Sequence, residues 1–354
     1  MAAQPTANEQ RDELSTQRRK VDFDTYDVTV DELLRRVGRK RIDIAPVYQR
    51  QFRWDEERQS TLIESVLLGI PVPPLFMATN VDADAQNRWE VVDGLQRLLT
   101  LVNFAGDKNT RAAARLEGER LGLSKLEKLE TFNGFTFEAL SEDIRSAFED
   151  RPLKIIILND KSQLQVRFDL FERLNTGGIA LTQQEIRECV YRGEFINLLG
   201  TLADSEDFQK VVVLPESKIK DGTPKDFVLR FFAYLEKYEE FNHLVKDFLK
   251  KFMDQAYRHP NVENREATFH QTFRFLAQCF PEGIKTRKGH TPVNLYEALA
   301  VGAALALSQN PSLTPPSDLS WVESPELRKL VTGATNSRPR VKSRIEFCRD
   351  VFLG

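Results

Sequence analysis

Cysteine and histidine are scarce in this chain, at three and four residues among 354. Cys189, Cys279 and Cys348 are odd in number and far apart, which excludes a disulfide scaffold and points to free core thiols in a reducing compartment, the cytoplasm. His243, His259, His270 and His290 show no metal-ligand spacing with one another or with cysteine, so neither a zinc site nor a His-Asn-His nuclease core is expected. A serine nucleophile elbow and a P-loop lysine motif are both missing, which removes the commonest hydrolase readings. The longest apolar run, residues 298–307, is too short to span a bilayer and reads as a buried helix, so no membrane partner is expected. Charge of one sign is lacking as well. A net charge of -3 gives no global attraction to nucleic acid, so any DNA contact must come from local patches.

What the chain does have is length enough for two domains with cores of their own. Residues 1–20 are polar and mixed in charge, and read as a disordered tail rather than a signal peptide or an anchor. The most informative stretch is Trp89-Glu90-Val91-Val92-Asp93-Gly94-Leu95-Gln96-Arg97-Leu98. A β-branched run ends there in Asp-Gly, and helical spacing begins at once. A strand that enters a helix through glycine presents backbone N–H groups to anions. Arg97 adds a planar donor fork, and Asp93 could hold a metal ion or a water beside a phosphate. The same residues equally make an ordinary turn followed by a surface arginine.

Around this stretch, residues 29–37 predict a capped helix closed by Gly38, residues 42–52 an extended segment, and Asp55 the cap of a helix with Leu62, Ile63, Val66, Leu67 and Ile70 on one side. Residues 75–79 predict a strand, joined by a polar hairpin loop over residues 80–87 to the strand at Trp89. The charged residues 111–128 read as a helical insertion or solvated arm. Residues 153–158 are apolar nearly throughout and predict a central strand. A helix over residues 163–174 leads to Asn175-Thr176-Gly177-Gly178, then to a Thr182/Glu185 capping box opening a helix that carries Arg187. Farther on the spacing is helical only, over residues 195–203, 226–257, 267–279, 294–308 and 341–352. The aromatic set from Phe227 to Phe252 reads as core rather than as a base-stacking platform.

Two groups of residues carry candidate chemistry. Arg50, Asp93, Gly94, Gln96, Arg97, Asn175 and Arg187 lie beside strand ends or helix starts, and this mix of arginines, an acid and amides suits nucleotide phosphates better than an apolar substrate. Near the C-terminus, Arg338, Arg340, Lys342 and Arg344 form a basic run that is either a solvated loop or a contact for DNA phosphates.

Four segments in order resemble a known family. They are Tyr48-Gln49-Arg50-Gln51-Phe52-Arg53-Trp54, Gly69-Ile70-Pro71-Val72-Pro73-Pro74-Leu75-Phe76, Val92-Asp93-Gly94-Leu95-Gln96-Arg97-Leu98, and Phe171-Glu172-Arg173-Leu174-Asn175-Thr176-Gly177-Gly178 with Glu185-Ile186-Arg187. Together they resemble the N-terminal domain of GmrSD-type restriction endonucleases, a domain shared with the type IV restriction proteins BrxU and SspE. The resemblance implies a ParB/sulfiredoxin-like domain with a small mixed sheet, placed over residues 21–192, and the helical spacing beyond it gives an all-helical domain over residues 193–354, so the expected fold class is α+β. It also implies a nucleotide-binding sensor or regulatory component of a bacterial restriction or anti-phage system that acts on DNA, modified DNA included. The nucleotide would be a nucleoside triphosphate, GTP or another, with Mg²⁺.

Carried over residue by residue, Asp93, Gln96 and Arg97 would be catalytic, with Asp93 the metal ligand. Arg50, Gly94, Arg97, Asn175 and Arg187 would bind nucleotide, and Arg338, Arg340, Lys342 and Arg344 remain the DNA candidates. The family commonly has Gln where this chain has Leu95, so binding is better founded than hydrolysis. Without a His-Asn-His domain, a nuclease or other defence subunit would be a separate partner, and self-association is allowed. Two other readings stay open, a DNA-binding module indifferent to nucleotide and a metal-dependent nickase that uses the Asp93 turn. The choice among NTPase, nuclease subunit and non-enzyme is therefore open too.

Overall fold

The structure, a computed structural model, describes residues 5–17, 22–44, 54–80, 88–159, 173, 182–191, 193–219, 221–242, 244–285, 289–333 and 336–354. It divides into two compact units, Met1–Leu181 and Thr182–Gly354. The expected helix over residues 163–174, the loop over 81–87 and the segment 45–53 lie outside the described residues, as does most of the Asn175 motif.

In the first unit five strands form one mixed sheet, in the order β1 (Phe23–Thr29), β5 (Pro152–Leu158), β3 (Leu75–Asn80), β4 (Arg88–Asp93), β2 (Ile42–Asp43). The β1–β5 and β3–β4 pairs are antiparallel, while β5–β3 and β4–β2 are parallel. Strand β5 lies inside the sheet, as its buried Leu153, Ile155, Ile157 and Leu158 require. Strand β1 was not expected: its Phe-Asp-Thr-Tyr-Asp-Val-Thr sequence is exposed over its first five residues, and it forms an edge. Tyr26 of β1 nevertheless stacks on Trp89 of β4 at 6.2 Å, although β5 and β3 lie between their strands.

The helices of this unit follow from their caps and apolar stripes. Helix α1 (Ala7–Gln17) lies within the expected tail and opens on a reciprocal capping box: Thr6 N donates to Glu9 Oε2 (2.7 Å) and Glu9 N to Thr6 Oγ1 (3.3 Å). Helix α2 (Val30–Gly38) starts where β1 stops, with Thr29 accepting from Glu32 N, and buries Val30, Leu33, Leu34 and Val37. Helix α3 (Glu56–Leu68), capped by Asp55, turns Leu62, Ile63 and Val66 inward, while Ile70, beyond its end, is exposed. Helices α4 (Leu95–Ala105), α5 (Lys108–Ala113) and α6 (Glu142–Glu149) complete the layer, with Phe104, Phe137 and Phe148 meeting at ring distances of 5.5–5.8 Å.

Residues 111–128 are not a solvated arm. Helix α5 stops at Ala113, and the irregular chain beyond it places Leu121, Leu123 and Leu126 in the core. Two buried polar groups of α3 hold it there: Ser60 Oγ accepts from Ser124 N (3.0 Å), and Glu64 Oε1 from Lys128 N and Leu129 N (2.8 and 2.9 Å). Dense charge between the leucines hid their spacing.

The second unit is helical throughout its described residues: α7 (Gln183–Val190), α8 (Glu194–Ala203), α9 (Glu206–Val211), α10 (Glu216–Ile219), α11 (Thr223–Lys237), α12 (Val245–Arg258), α13 (Val262–Cys279), α14 (Val293–Gln309), α15 (Pro325–Val331) and α16 (Arg338–Leu353). The single helix expected over 226–257 is two, because Phe241 must turn inward to pack against Tyr234 and Phe248 at 5.6 and 5.2 Å. The aromatic set around it is core, as expected, with Phe227, Phe231, Phe232, Phe248 and Phe252 buried. Helix α14 is buried over most of its length, and Gly302 lets α16 approach, since a Cβ there would lie 2.6 Å from Cys348 Cβ. Cys279 and Cys348 are free and buried; burial pushes the Cys279 thiol up to about 12 and Cys348 higher still, so both stay protonated. No helix among the described residues is long and apolar enough to cross a membrane.

Candidate functional site

Strand β4 ends at Asp93, and Gly94 makes the turn into α4 in the left-handed region, φ 93° and ψ 15°. A side chain there would be strained by the backbone angle and would press on Leu75 Cδ2. No side chain caps α4, so the positive end of its dipole opens at the turn. Asp93 lies one residue before the turn, and its Oδ2 accepts from Arg97 Nη2 at 2.7 Å. Among the described residues its second oxygen has no partner.

Arg97 is less available than the sequence suggested. Besides Asp93, its guanidinium donates to the carbonyls of Pro74 (3.1 Å) and Pro73. Its side chain is only 14% exposed, against 33% for Asp93. Burial lowers the Arg97 pKa from its ordinary value, with Asp93 opposing the shift. Arg97 thus ties the entry of β3 to the exit of β4 and orients the Asp93 carboxylate, rather than reaching freely for a ligand.

Gln96 belongs to a polar chain that runs inward from the turn. Its Oε1 accepts from Trp54 N (3.3 Å), Gln59 Nε2 donates to Trp54 O (2.9 Å), Asn103 Nδ2 to Gln59 Oε1 (2.9 Å), and Arg111 Nη1 to Asn103 Oδ1 (2.5 Å). None of Gln59, Asn103 and Arg111 was singled out from the sequence. Their signal, polar residues at inward-facing helical positions, is visible only once the faces of α3 and α4 are known. Among the described residues no three acidic, histidine or cysteine side chains meet to hold a metal. Asp93 therefore fits Mg²⁺ only as one ligand of an ion shared with phosphates, the usual arrangement for that ion.

Of the other expected site residues, Arg50 and Asn175 lie outside the described residues. Arg187 belongs to the second unit, where it is buried and donates to Asp226 Oδ1 at 2.7 Å. The basic run near the C-terminus is corrected in two respects. It is the start of helix α16 and not a loop, and Arg344 is wholly buried against Glu297. Arg340 donates to the Lys329 and Thr332 carbonyls at the end of α15, and Lys342 faces Glu239 and Glu346 at 3.6 and 3.8 Å. Of the four, Arg338 and Lys342 are exposed. A denser basic run was overlooked: Arg35, Arg36, Arg39, Lys40 and Arg41 at the end of α2. Asp31 and Glu32 pair with the first two, while Arg39, Lys40 and Arg41 are exposed next to Arg88 and Trp89 of β4, with the Arg36 guanidinium 4.1 Å from the Trp89 ring centre.

Comparison with known proteins bears on the same segment: residues 30–192 match the model of the GmrSD restriction endonuclease N-terminal domain. This segment is a GmrSD N-terminal-type domain. The GmrSD-type match takes in the whole Asp93 to Arg97 turn and runs past Leu181 through α7, which packs with the second unit. No curated protein matches the chain. Among solved structures, the C2221 form of a Pnob8-like ParB-N domain covers 95% of this chain and 100% of its own, at 11% identity and a TM-score of 0.25, a likeness too loose to carry an argument.

Proposed function

We propose that the chain is a nucleotide-responsive component of a restriction or anti-phage system that acts on DNA, with the Asp93 to Arg97 turn as its nucleotide site. The observation that carries this reading is the uncapped start of α4 at Gly94, inside the GmrSD-type segment, with a carboxylate oriented beside it. The amides of the turn would receive a phosphate and Asp93 would share a Mg²⁺ with it, the ion supplying charge neutralisation for the phosphate oxygens. Arg97 serves by holding Asp93 and the Pro73–Pro74 carbonyls, and Gln96 by coupling the turn to Trp54. Leu95 leaves binding as the primary event, with any cutting of DNA done by a separate nuclease subunit.

A thermal-shift panel of nucleoside triphosphates with Mg²⁺ tests this. A ligand held at 100 times its dissociation constant adds about 2.7 kcal/mol of stability. The wild-type chain should gain this with at least one nucleotide, and Asp93→Asn should lose most of the Mg²⁺-dependent part. Equal shifts in the two proteins would sink the assignment.

DNA contact is assigned to Arg39, Lys40 and Arg41 in place of the run ending at Arg344. Each phosphate contact contributes about 0.9 to the slope of log affinity against log salt. The triple variant Arg39→Ala/Lys40→Ala/Arg41→Ala should therefore flatten that slope by about 2.7. An unchanged slope, read by fluorescence anisotropy across a salt series, would remove this surface from the proposal.

A further inference from the structure

The second unit contains a cavity of about 300 Å³ at which three helices begin: Gln183 of α7, Thr223 of α11 and Val245 of α12 all line it. Its charged lining is four cations, Arg187, Lys218, Arg230 and Lys246, against two carboxylates, Asp221 and Asp226. The first amide of α11 is already used, since Asp221 Oδ1 accepts from Thr223 N at 3.1 Å, and Lys218 reaches the other Asp221 oxygen at 2.9 Å. Deeper still, among the described residues, Asp226 pairs with both Arg187 and Arg230, and Glu297 with both Arg230 and Arg344.

The two ends of the Asp226 bridge are unequally served. Arg230 sits between Asp226 and Glu297, which outweigh its burial and raise its pKa. Among the described residues Arg187 has Asp226 alone as carboxylate partner; burial dominates and lowers its pKa. Its side chain is 3% exposed, and among the described residues its buried Nε has no hydrogen-bond partner. A buried cation that is short of compensation is costly, and an anion in the cavity it lines would relieve that cost.

We propose that this cavity is an anion site that takes a phosphate group, free or as the monoester of a small molecule, with Arg187 and Arg230 at its back and Lys218 and Lys246 at its mouth. All of its lining residues belong to the second unit, whereas the turn at Gly94 belongs to the first. The volume is at the small end of ligand pockets, which fits a phosphate monoester better than a bulky ligand.

Calorimetric titration of the full chain tests it, first with inorganic phosphate and then with a nucleoside monophosphate, at an ionic strength fixed with chloride. Saturable one-to-one binding is expected. Tighter binding of the monophosphate would support an ester ligand, and equal binding would support recognition of the phosphate group alone. Lys218→Gln/Lys246→Gln alters two exposed side chains, so it should fold normally and bind roughly fivefold more weakly or worse. Arg187→Met should abolish binding, with circular dichroism reporting whether it folds; the lysine variant keeps the test decisive if it does not. Absence of binding above chloride, or wild-type affinity in the double lysine variant, would overturn the inference. So would binding that requires added Mg²⁺ and is lost in Asp93→Asn but kept in the lysine variant, which would assign the phosphate to the turn and leave the nucleotide proposal standing.

Discussion

Glu297→Ala should lower the stability of the second unit by about 3–5 kcal/mol, the usual cost of removing one partner from a buried ion pair. Glu297 is 1% exposed; its Oε1 accepts from Arg230 Nη1 at 2.8 Å, and its Oε2 pairs with Arg344, which is itself fully buried. The substitution leaves Arg344 without its carboxylate and Arg230 with Asp226 alone. Urea denaturation, followed by helical circular dichroism, should show a lower midpoint with an unchanged slope. Glu297→Gln, which keeps an acceptor but not the charge, should lose less. A loss under about 1 kcal/mol for the alanine variant would mean that the arginines find other compensation, contrary to the pairing described.

Gly94→Ala should cost the first unit about 2–4 kcal/mol, combining the strain of a left-handed non-glycine residue with an overpacked contact. The added methyl would press on Leu75 Cδ2 and meet the Arg97 guanidinium at 3.1 Å, both ends of side chains, so a shift of the Leu75 side chain relieves part of the contact while the strain of the left-handed backbone stays. Gly94→Ala/Leu75→Ala removes the clash but keeps the strain and adds a cavity. It should recover little stability, and a full recovery would show that packing rather than backbone conformation demands glycine here.

The turn itself could be read from the sequence because strand, glycine and helix follow one another without interruption, so local propensity fixes the geometry. The inner strand β5 was legible for the same reason, its apolar run being unbroken from Ile155 to Leu158. Strand β1 was not, because an exposed edge strand can carry Asp24, Tyr26 and Asp27 without any apolar alternation. Charge misled most. Arg344 looks like a ligand-binding cation in a linear reading, yet it lies on the inner face of a helix whose partner carboxylate, Glu297, is supplied from far along the chain, and Arg187, paired likewise with Asp226, lines a cavity of the second unit and not the turn. Arg39 to Arg41, close to a helix end and truly exposed, passed unnoticed beside them. Which face a cation takes is decided by tertiary packing, and sequence spacing alone does not hold that information.

The bond from Trp54 to Gln96 makes the turn optically legible. Trp54 is one of three tryptophans; its ring lies 5.1 Å from the Arg58 guanidinium, and its backbone N–H rests on the residue two after Gly94. Trp89 is packed against Tyr26 and Arg36, and Trp321 lies in the second unit edge-on to Phe352. With Trp89 and Trp321 replaced by phenylalanine, all remaining indole emission would come from Trp54. The chain would then carry a single built-in fluorophore one hydrogen bond away from the helix start, so occupancy of that start could be followed in real time without any label.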